Sequence, residues 1–117
     1  MKPPVLVPLD GSDLAEQALP YARELAEPGC QLILLEVGED EDDLGVLERH
    51  AGSCASLETA VGDPAEQILR VARDLQAGLI VMTTHGRGAL GRWVFGSVAD
   101  QVMRTSPVPV LVVRPRE

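Results

Sequence analysis

The chain has 117 residues, 45% of them hydrophobic and 3% aromatic, and its 18 acidic and 10 basic residues give a formal net charge of −8. This length suits one domain and excludes a catalytic cleft between separate domains. The acidic balance argues against nonspecific nucleic-acid binding and against adhesion to anionic membranes. No apolar run approaches the roughly 18 residues of a membrane span, and residues 1–10 lack the apolar centre of a signal peptide. We therefore expect a cytoplasmic protein.

The first third of the chain predicts a strand, a helix and a second strand. Residues 5–10 (VLVPLD) are an apolar run typical of a strand. Ser12 is a candidate N-cap for a helix to about Ala26, and Pro20 within it predicts a bend because proline removes one backbone hydrogen bond. Residues 31–37 (QLILLEV) are almost continuously apolar, as in a strand buried on both faces.

The middle of the chain predicts a short helix, a strand and a longer helix. Residues 38–52 begin with an acidic run and have only brief apolar periodicity, so they allow only a short helix. Residues 54–61 alternate weakly and predict a third strand. Asp63 as a cap, Pro64 at the first helical position and Glu66 after it form a strong helix start.

The last third completes an alternation of strands and helices. Residues 78–84 predict a fourth strand, Ser97 and Asp100 cap a helix to about Arg104, and residues 108–114 predict the last strand. Such an alternation is typical of α/β folds. We expect one Rossmann-like domain, a three-layer sandwich around a five-stranded parallel sheet of order 3-2-1-4-5.

The loop HGRGALGRWVFGS, residues 85–97, comes close to two known phosphate-binding patterns. Its first half has the G-x-G-x-x-G spacing of a dinucleotide-binding turn. That turn normally opens a domain and is followed by a strand ending in an acid, whereas this loop precedes a last strand that runs into arginines. The P-loop pattern fails as well, because Arg92 and Trp93 stand where it requires Lys and Ser or Thr, and Lys2 is the chain's sole lysine.

The second half of the loop fits a different phosphate cradle. Gly96 and Ser97 stand at a predicted helix start, where backbone N–H groups and the helix dipole attract phosphate, and Arg87 and Arg92 add positive charge. Ligands of open parallel sheets bind where the strand order reverses, which places Asp10 across the crevice and in reach of ribose hydroxyls. The residues alone also allow a structural interpretation, with Ser97 as a cap, the glycines as turns and Asp10 as a turn residue.

Two elements together resemble the universal stress protein family. They are the P-x-D-G-S element at residues 8–12, and Gly86 followed after nine residues by Gly96 and Ser97. Residues 97–114 also resemble the family's closing helix and strand, and the resemblance covers nearly all of the chain. It implies the five-stranded sandwich, frequent dimerisation and ATP binding, with any Mg²⁺ held mainly by the phosphates.

The resemblance also implies which residues line the ATP site. Those on the adenosine side are Pro8, Leu9, Asp10, Val37, Met82 and Thr83. Those around the phosphates are Gly86, Arg87, Gly96, Ser97 and Val98. Asp10 would bind the ribose and Val37 would pack on adenine. Thr83 departs from the family pattern, since it occupies the position of the first motif glycine, and the short segment between strands 2 and 3 would leave the adenine side more open.

These features favour a binding module over an enzyme. His50 lies in an acidic segment and His85 precedes the glycine loop, so neither stands beside a nucleophile; slow ATP hydrolysis or autophosphorylation at Ser97 is the most chemistry that we expect. Cys30 and Cys54 lack metal-ligand spacing. The first hypothesis is an ATP-binding stress or regulatory protein whose nucleotide state changes assembly or partner contacts. The alternative is a dimeric interaction module of the same family that binds no nucleotide.

The last strand predicts how the chain assembles. Pro107 and Pro109 alternate with apolar residues there, and few polar residues cover what would be a sheet edge. The resemblance favours a homodimer through this strand, with a covered edge in a monomer as the alternative. An unidentified protein partner remains open, and no nucleic acid or membrane partner is expected. A nucleotidyl-transfer enzyme on this fold is disfavoured, since the chain lacks an H-x-G-H element.

Overall fold

The computed structural model describes residues 2–10, 12–26, 28–45, 56–84 and 95–116. Within them, five strands form one sheet: Val5–Leu9 (β1), Leu32–Gly38 (β2), Ser56–Val61 (β3), Leu79–Thr83 (β4) and Val110–Val113 (β5). Every pair of neighbouring strands is parallel, and the order is β3-β2-β1-β4-β5. The predicted fold class and strand order are confirmed, and β3 and β5 are the edges of the sheet.

The helices cover the sheet and complete the layers. They are Asp13–Glu16 (α1), Ala18–Leu25 (α2), Pro64–Asp74 (α3) and Phe95–Thr105 (α4), with a 3-10 turn at Glu41–Asp43. Helices α1 and α2 pack on β1 and β4, whereas α3 and α4 pack on each other. Right-handed crossovers put these two pairs on opposite faces of the sheet. In the described parts of the chain, no helix has the length and apolar character needed to cross a membrane.

The first helix breaks where the sequence predicts a bend. Ser12 caps α1 as predicted, with its Oγ accepting the Ala15 N–H at 3.2 Å. Pro20 has no N–H to donate to the carbonyl of Glu16, four residues earlier. The helix is interrupted at Gln17, between α1 and α2.

The side chain at this break holds the C-terminal segment. Gln17 Nε2 donates to the carbonyl of Arg116, and Gln17 Oε1 accepts the Arg116 N–H at 2.7 Å. These two bonds join residues 99 positions apart in the chain. The segment after β5 is therefore attached to the junction between α1 and α2.

The core follows the apolar runs of the sequence. Every residue of β1 and β2 is buried, which explains why those runs lack the alternation of a half-exposed strand. Helix α3 begins as predicted, because Asp63 accepts the Glu66 N–H at 3.1 Å and Pro64 occupies the first turn.

Two predicted boundaries in the last third are wrong. Helix α4 begins at Phe95, so Ser97 is its third residue and not its N-cap. In the sequence, Phe95 precedes the buried Val102 by seven residues, which is two helical turns. The prediction of Ser97 as the N-cap overlooked this spacing. Strand β5 begins at Val110, two residues later than predicted, because Pro109 has no N–H to contribute to the ladder.

Candidate functional site

The strand order reverses between β1 and β4, and this reversal locates the candidate site. The chain leaves β1 towards β2 and leaves β4 towards β5, so the two connections diverge and open a crevice at the carboxyl edge. The register pairs Leu6 with Ile80, and its continuation brings Leu9 beside Thr83. Asp10 and Thr84, the residues that follow these strands, therefore flank the same crevice.

Asp10 is a buried acid with one oxygen bonded and one oxygen unpartnered. It follows β1 directly, and its side chain belongs to a residue only 6% exposed. Its Oδ1 accepts the Ser12 N–H at 2.8 Å, which shapes the turn into α1. Its Oδ2 is buried without a hydrogen-bond partner among the described residues. Buried polar atoms are nearly always paired, so this oxygen calls for a donor beyond those that the described residues supply.

The start of α4 forms the other side of the crevice. The N–H groups of Phe95, Gly96 and Ser97 stand in the first turn, where a helix offers them no internal acceptor. Gly96 and Ser97 are exposed, and a Cβ placed on Gly96 would lie 3.5 Å from the carbonyl oxygen of Thr84. The helix start is therefore next to the end of β4. First-turn N–H groups, which have no acceptor within the helix itself, and the positive end of the helix dipole suit an anion.

The other predicted residues divide into a buried layer and a part outside the described residues. The buried ones in the strands are Pro8, Leu9, Val37, Met82 and Thr83. Thr83, which departs from the family pattern, is 0% exposed and pairs with Val113 of β5, so its side chain belongs to the packed sheet. Val98 is buried in the first turns of α4. Gly86 and Arg87 lie outside the described residues.

Glu36 is a buried acid beside the crevice that the sequence interpretation missed. It lies within β2, is 2% exposed, and is the register partner of Leu9 in β1. Its Oε1 accepts the N–H of Gly45 at 2.9 Å. The sequence signal was available, since one acid interrupts the apolar run 31–37, and acids are almost never fully buried without partners.

Sequence comparisons identify relatives of this chain. The profile described as the universal stress protein family matches residues 41–114. A universal stress protein of Thermus aquaticus is 32% identical over 133 residues, which cover 94% of this chain and 97% of that protein. A universal stress protein of Mycolicibacterium smegmatis is 31% identical over 137 residues, covering 97% of this chain but 46% of its relative, so the chain spans about half of that protein's length.

Solved structures lead to the same group. The protein MJ0577, also known from Methanocaldococcus jannaschii as a universal stress protein, superposes with a TM-score of 0.76 at 25% identity and covers 100% of this chain and 99% of its own. A universal stress protein solved in complex with cAMP superposes with a TM-score of 0.74 at 27% identity, covering 96% of each chain. On the profile match and these similarities, the chain belongs to the universal stress protein family.

Proposed function

We propose that this protein binds an adenosine nucleotide, with ATP as the expected ligand, between the end of β1 and the start of α4, and that it is a binding module rather than an enzyme. The observation that carries the proposal is the buried, unpartnered Oδ2 of Asp10. A ribose hydroxyl supplies the missing donor without bringing a second charge into the buried turn.

The two sides of the crevice suit two parts of one ligand. Asp10 offers an acceptor to a hydroxyl, and the first turn of α4 offers N–H donors to a phosphate. A nucleotide carries both groups, because its phosphate is attached through the 5′ carbon to the ribose that bears the hydroxyls. A relative of 27% identity was solved with cAMP, which supports an adenosine nucleotide as the ligand class.

The residue assignments of the proposal follow the family pattern. The adenosine side comprises Pro8, Leu9, Asp10, Val37, Met82 and Thr83. The phosphate side comprises Gly86, Arg87, Gly96, Ser97 and Val98. With Ser97 in the first turn of α4, its N–H and hydroxyl both belong to the proposed phosphate side. Mg²⁺ would arrive with ATP, held mainly by the phosphates.

Calorimetric titration of ATP tests the proposal with Asp10→Asn. The amide keeps one oxygen for the Ser12 N–H but presents NH₂ donors where Oδ2 accepts, so ATP should bind about 10- to 100-fold more weakly, the loss of one hydrogen bond to a charged acceptor. Asp13→Asn, the same change at an exposed position in α1, is the control and should bind ATP like the wild type. Unchanged ATP affinity in Asp10→Asn would remove Asp10 from the site.

We also propose that the protein is a cytoplasmic homodimer that pairs through β5. This strand bonds only to β4 in the described sheet, and Val110, Leu111 and Val112 are half-buried on it. An apolar edge strand is normally covered or paired. If the wild type shows no heat of ATP binding, the second hypothesis takes precedence. The protein would then be a dimeric interaction module that binds no nucleotide and pairs through the same edge. A monomeric mass in analytical ultracentrifugation contradicts the dimer in either case.

A further inference from the structure

The C-terminal segment is attached to the junction between α1 and α2 by one side chain. Gln17 Nε2 donates to the carbonyl of Arg116, and Gln17 Oε1 accepts the N–H of the same residue. The amide group of Gln17 therefore bonds both backbone polar groups of Arg116, as a residue of a neighbouring antiparallel strand does. Gln17 is half-buried, and its own N–H bonds back to carbonyls of α1. We call the two bonds between Gln17 and Arg116 the clasp.

On the side of β5, the clasp is attached to the sheet. The Thr84 N–H donates to the carbonyl of Val113 at 2.9 Å, so the end of β5 is bonded to the end of β4. Two residues separate Val113 from Arg116, and one of them, Pro115, is buried. Because proline has a fixed φ, this short segment has few alternative conformations. The clasp therefore fixes the position of Gln17 relative to the sheet.

On the side of α1, the clasp holds the end of a very short helix. Helix α1 has four residues, whereas an isolated helix needs about 12 to 15, so its position depends on contacts outside it. Ala15 packs into the core. At the start of α1, the Ser12 N–H donates to Asp10 Oδ1, and at its end Gln17 bonds Arg116. Helix α1 is therefore held at one end by the acid of the candidate site and at the other end by the clasp.

The orientation of the Asp10 carboxylate depends on the position of α1. Its Oδ1 accepts the Ser12 N–H, and its Oδ2 has no partner among the described residues. A shift of α1 moves the Ser12 N–H and turns the carboxylate with it. Strands β1 and β5 are separated by β4, so no ladder joins them directly. The clasp therefore provides a connection between the end of β5 and Asp10 that the sheet does not provide.

From these contacts we propose that Gln17 is a positioning residue, which through the clasp holds α1 where it keeps Asp10 Oδ2 directed at the ribose of the bound nucleotide. The inference rests on the proposed function. Gln17 acts through α1 and Ser12 and does not contact the nucleotide. The nucleotide therefore binds more tightly when the clasp is closed than when it is open. By thermodynamic linkage, the bound nucleotide favours the closed clasp by the same factor.

The first measurement is the ATP affinity of the wild type, Gln17→Met and the control Gln67→Met, by calorimetry. Methionine has nearly the length of glutamine but no amide group, so Gln17→Met loses both bonds of the clasp. ATP should then bind about 3- to 10-fold more weakly, the equivalent of one lost hydrogen bond. Gln67 is also half-buried, but its side chain bonds Arg70 within α3, so Gln67→Met should bind ATP like the wild type.

The second measurement is amide exchange at Arg116 by NMR, with and without saturating ATP. In the wild type, ATP should slow exchange at Arg116 by the factor by which Gln17→Met weakens ATP binding. In Gln17→Met, ATP should leave exchange at Arg116 unchanged. The reference amide is Val108, whose N–H donates to Ser106 Oγ at 3.1 Å, near the start of β5 and so at the opposite edge of the sheet. Its exchange should be the same with and without ATP.

Each result supports or overturns the role of Gln17. Unchanged ATP affinity in Gln17→Met overturns it, and so does exchange at Arg116 that ATP does not slow in the wild type. The second result needs no variant, so it decides the question even if Gln17→Met fails to fold. A purely structural role of Gln17 weakens ATP binding in the variant but gives no effect of ATP on Arg116 in the wild type.

The same measurements separate this inference from the proposed function. If the wild type binds ATP and either result above overturns the role of Gln17, the proposed function stands. If the wild type binds no ATP, the proposed function fails and the positioning role of Gln17 fails with it.

Discussion

Asp10 and Glu36 are two buried carboxylates at the same edge of one sheet, but the chain uses them differently. Glu36 bonds a backbone N–H nine residues away and so joins two segments of the fold. Asp10 bonds the N–H of Ser12, two residues away, and leaves its second oxygen buried without a partner in the described chain. Glu36 therefore stabilises the fold, whereas Asp10 has one carboxylate oxygen that no described residue bonds.

This difference separates a structural acid from a candidate ligand-binding acid. An unpaired buried polar group costs about 1–3 kcal/mol of folding stability. Native structures leave few such atoms unpaired, and a residue that receives a ligand must keep one available. Both acids are buried, so burial does not distinguish a structural role from a ligand-binding role. The unpartnered oxygen is what distinguishes Asp10.

The largest expected difference is in the free energy of unfolding, between alanine variants of the two acids. Glu36→Ala removes a buried hydrogen bond and leaves a cavity, so we expect a loss of about 2–4 kcal/mol in the free energy of unfolding. Asp10→Ala loses one local bond but also removes the unpaired oxygen, so its loss should stay under about 1 kcal/mol. Urea denaturation of the two variants measures both. A loss in Asp10→Ala as large as that in Glu36→Ala would mean that Asp10 is structural.

Features that depend on neighbours in sequence could be predicted. The cap at Ser12, the helix start at Asp63 and the break before Pro20 each depend on residues within four positions. The strand order also followed, because buried parallel strands need crossovers and five such strands favour one arrangement. Asp10 was assigned to the crevice by the same reasoning, since β1 adjoins the reversal of strand order.

Features that depend on distant residues could not be predicted. Glu36 is read as a minor interruption of an apolar run until Gly45 is seen to fold back onto it. The bonds between Gln17 and Arg116 have no local signature, because they join residues 99 positions apart. The lack of a partner for Asp10 Oδ2 among the described residues is likewise a property of the packed fold, and no sequence motif predicts it.

A smaller effect is expected at Ser12, where a substitution changes the turn after Asp10 without changing the Asp10 carboxylate. Ser12 donates its N–H to Asp10 and accepts the Ala15 N–H through Oγ, and Ser12→Ala removes only the second bond. We expect a loss of about 1 kcal/mol in stability, typical of an N-cap, with ATP affinity near that of the wild type. Asp63→Ala, at the cap of α3, is the control and should lose a similar amount. A tenfold loss of ATP affinity in Ser12→Ala alone would place its hydroxyl on the ligand.

The smallest expected effect on stability lies across the crevice, at Gly96. A Cβ there makes ordinary contact with Thr84, at 3.5 Å from its carbonyl oxygen, and the position is exposed, so Gly96→Ala should raise stability by about 0.5 kcal/mol through helix propensity. The same methyl group stands among the N–H donors proposed for phosphate. ATP affinity should therefore fall about five- to tenfold, the weakening of one hydrogen bond, while adenosine binds as before.

Measuring both ATP and adenosine affinity tests the ribose side and the phosphate side of the site separately. Asp10→Asn should weaken adenosine and ATP alike, because both carry the ribose, whereas Gly96→Ala should weaken ATP alone. Gln101→Ala, an exposed position further along α4, controls for helix stability and should change neither affinity. Equal weakening of adenosine and ATP by Gly96→Ala would mean that α4 does not face the phosphates, and the assignment of Gly96 and Ser97 would fail even if that of Asp10 held.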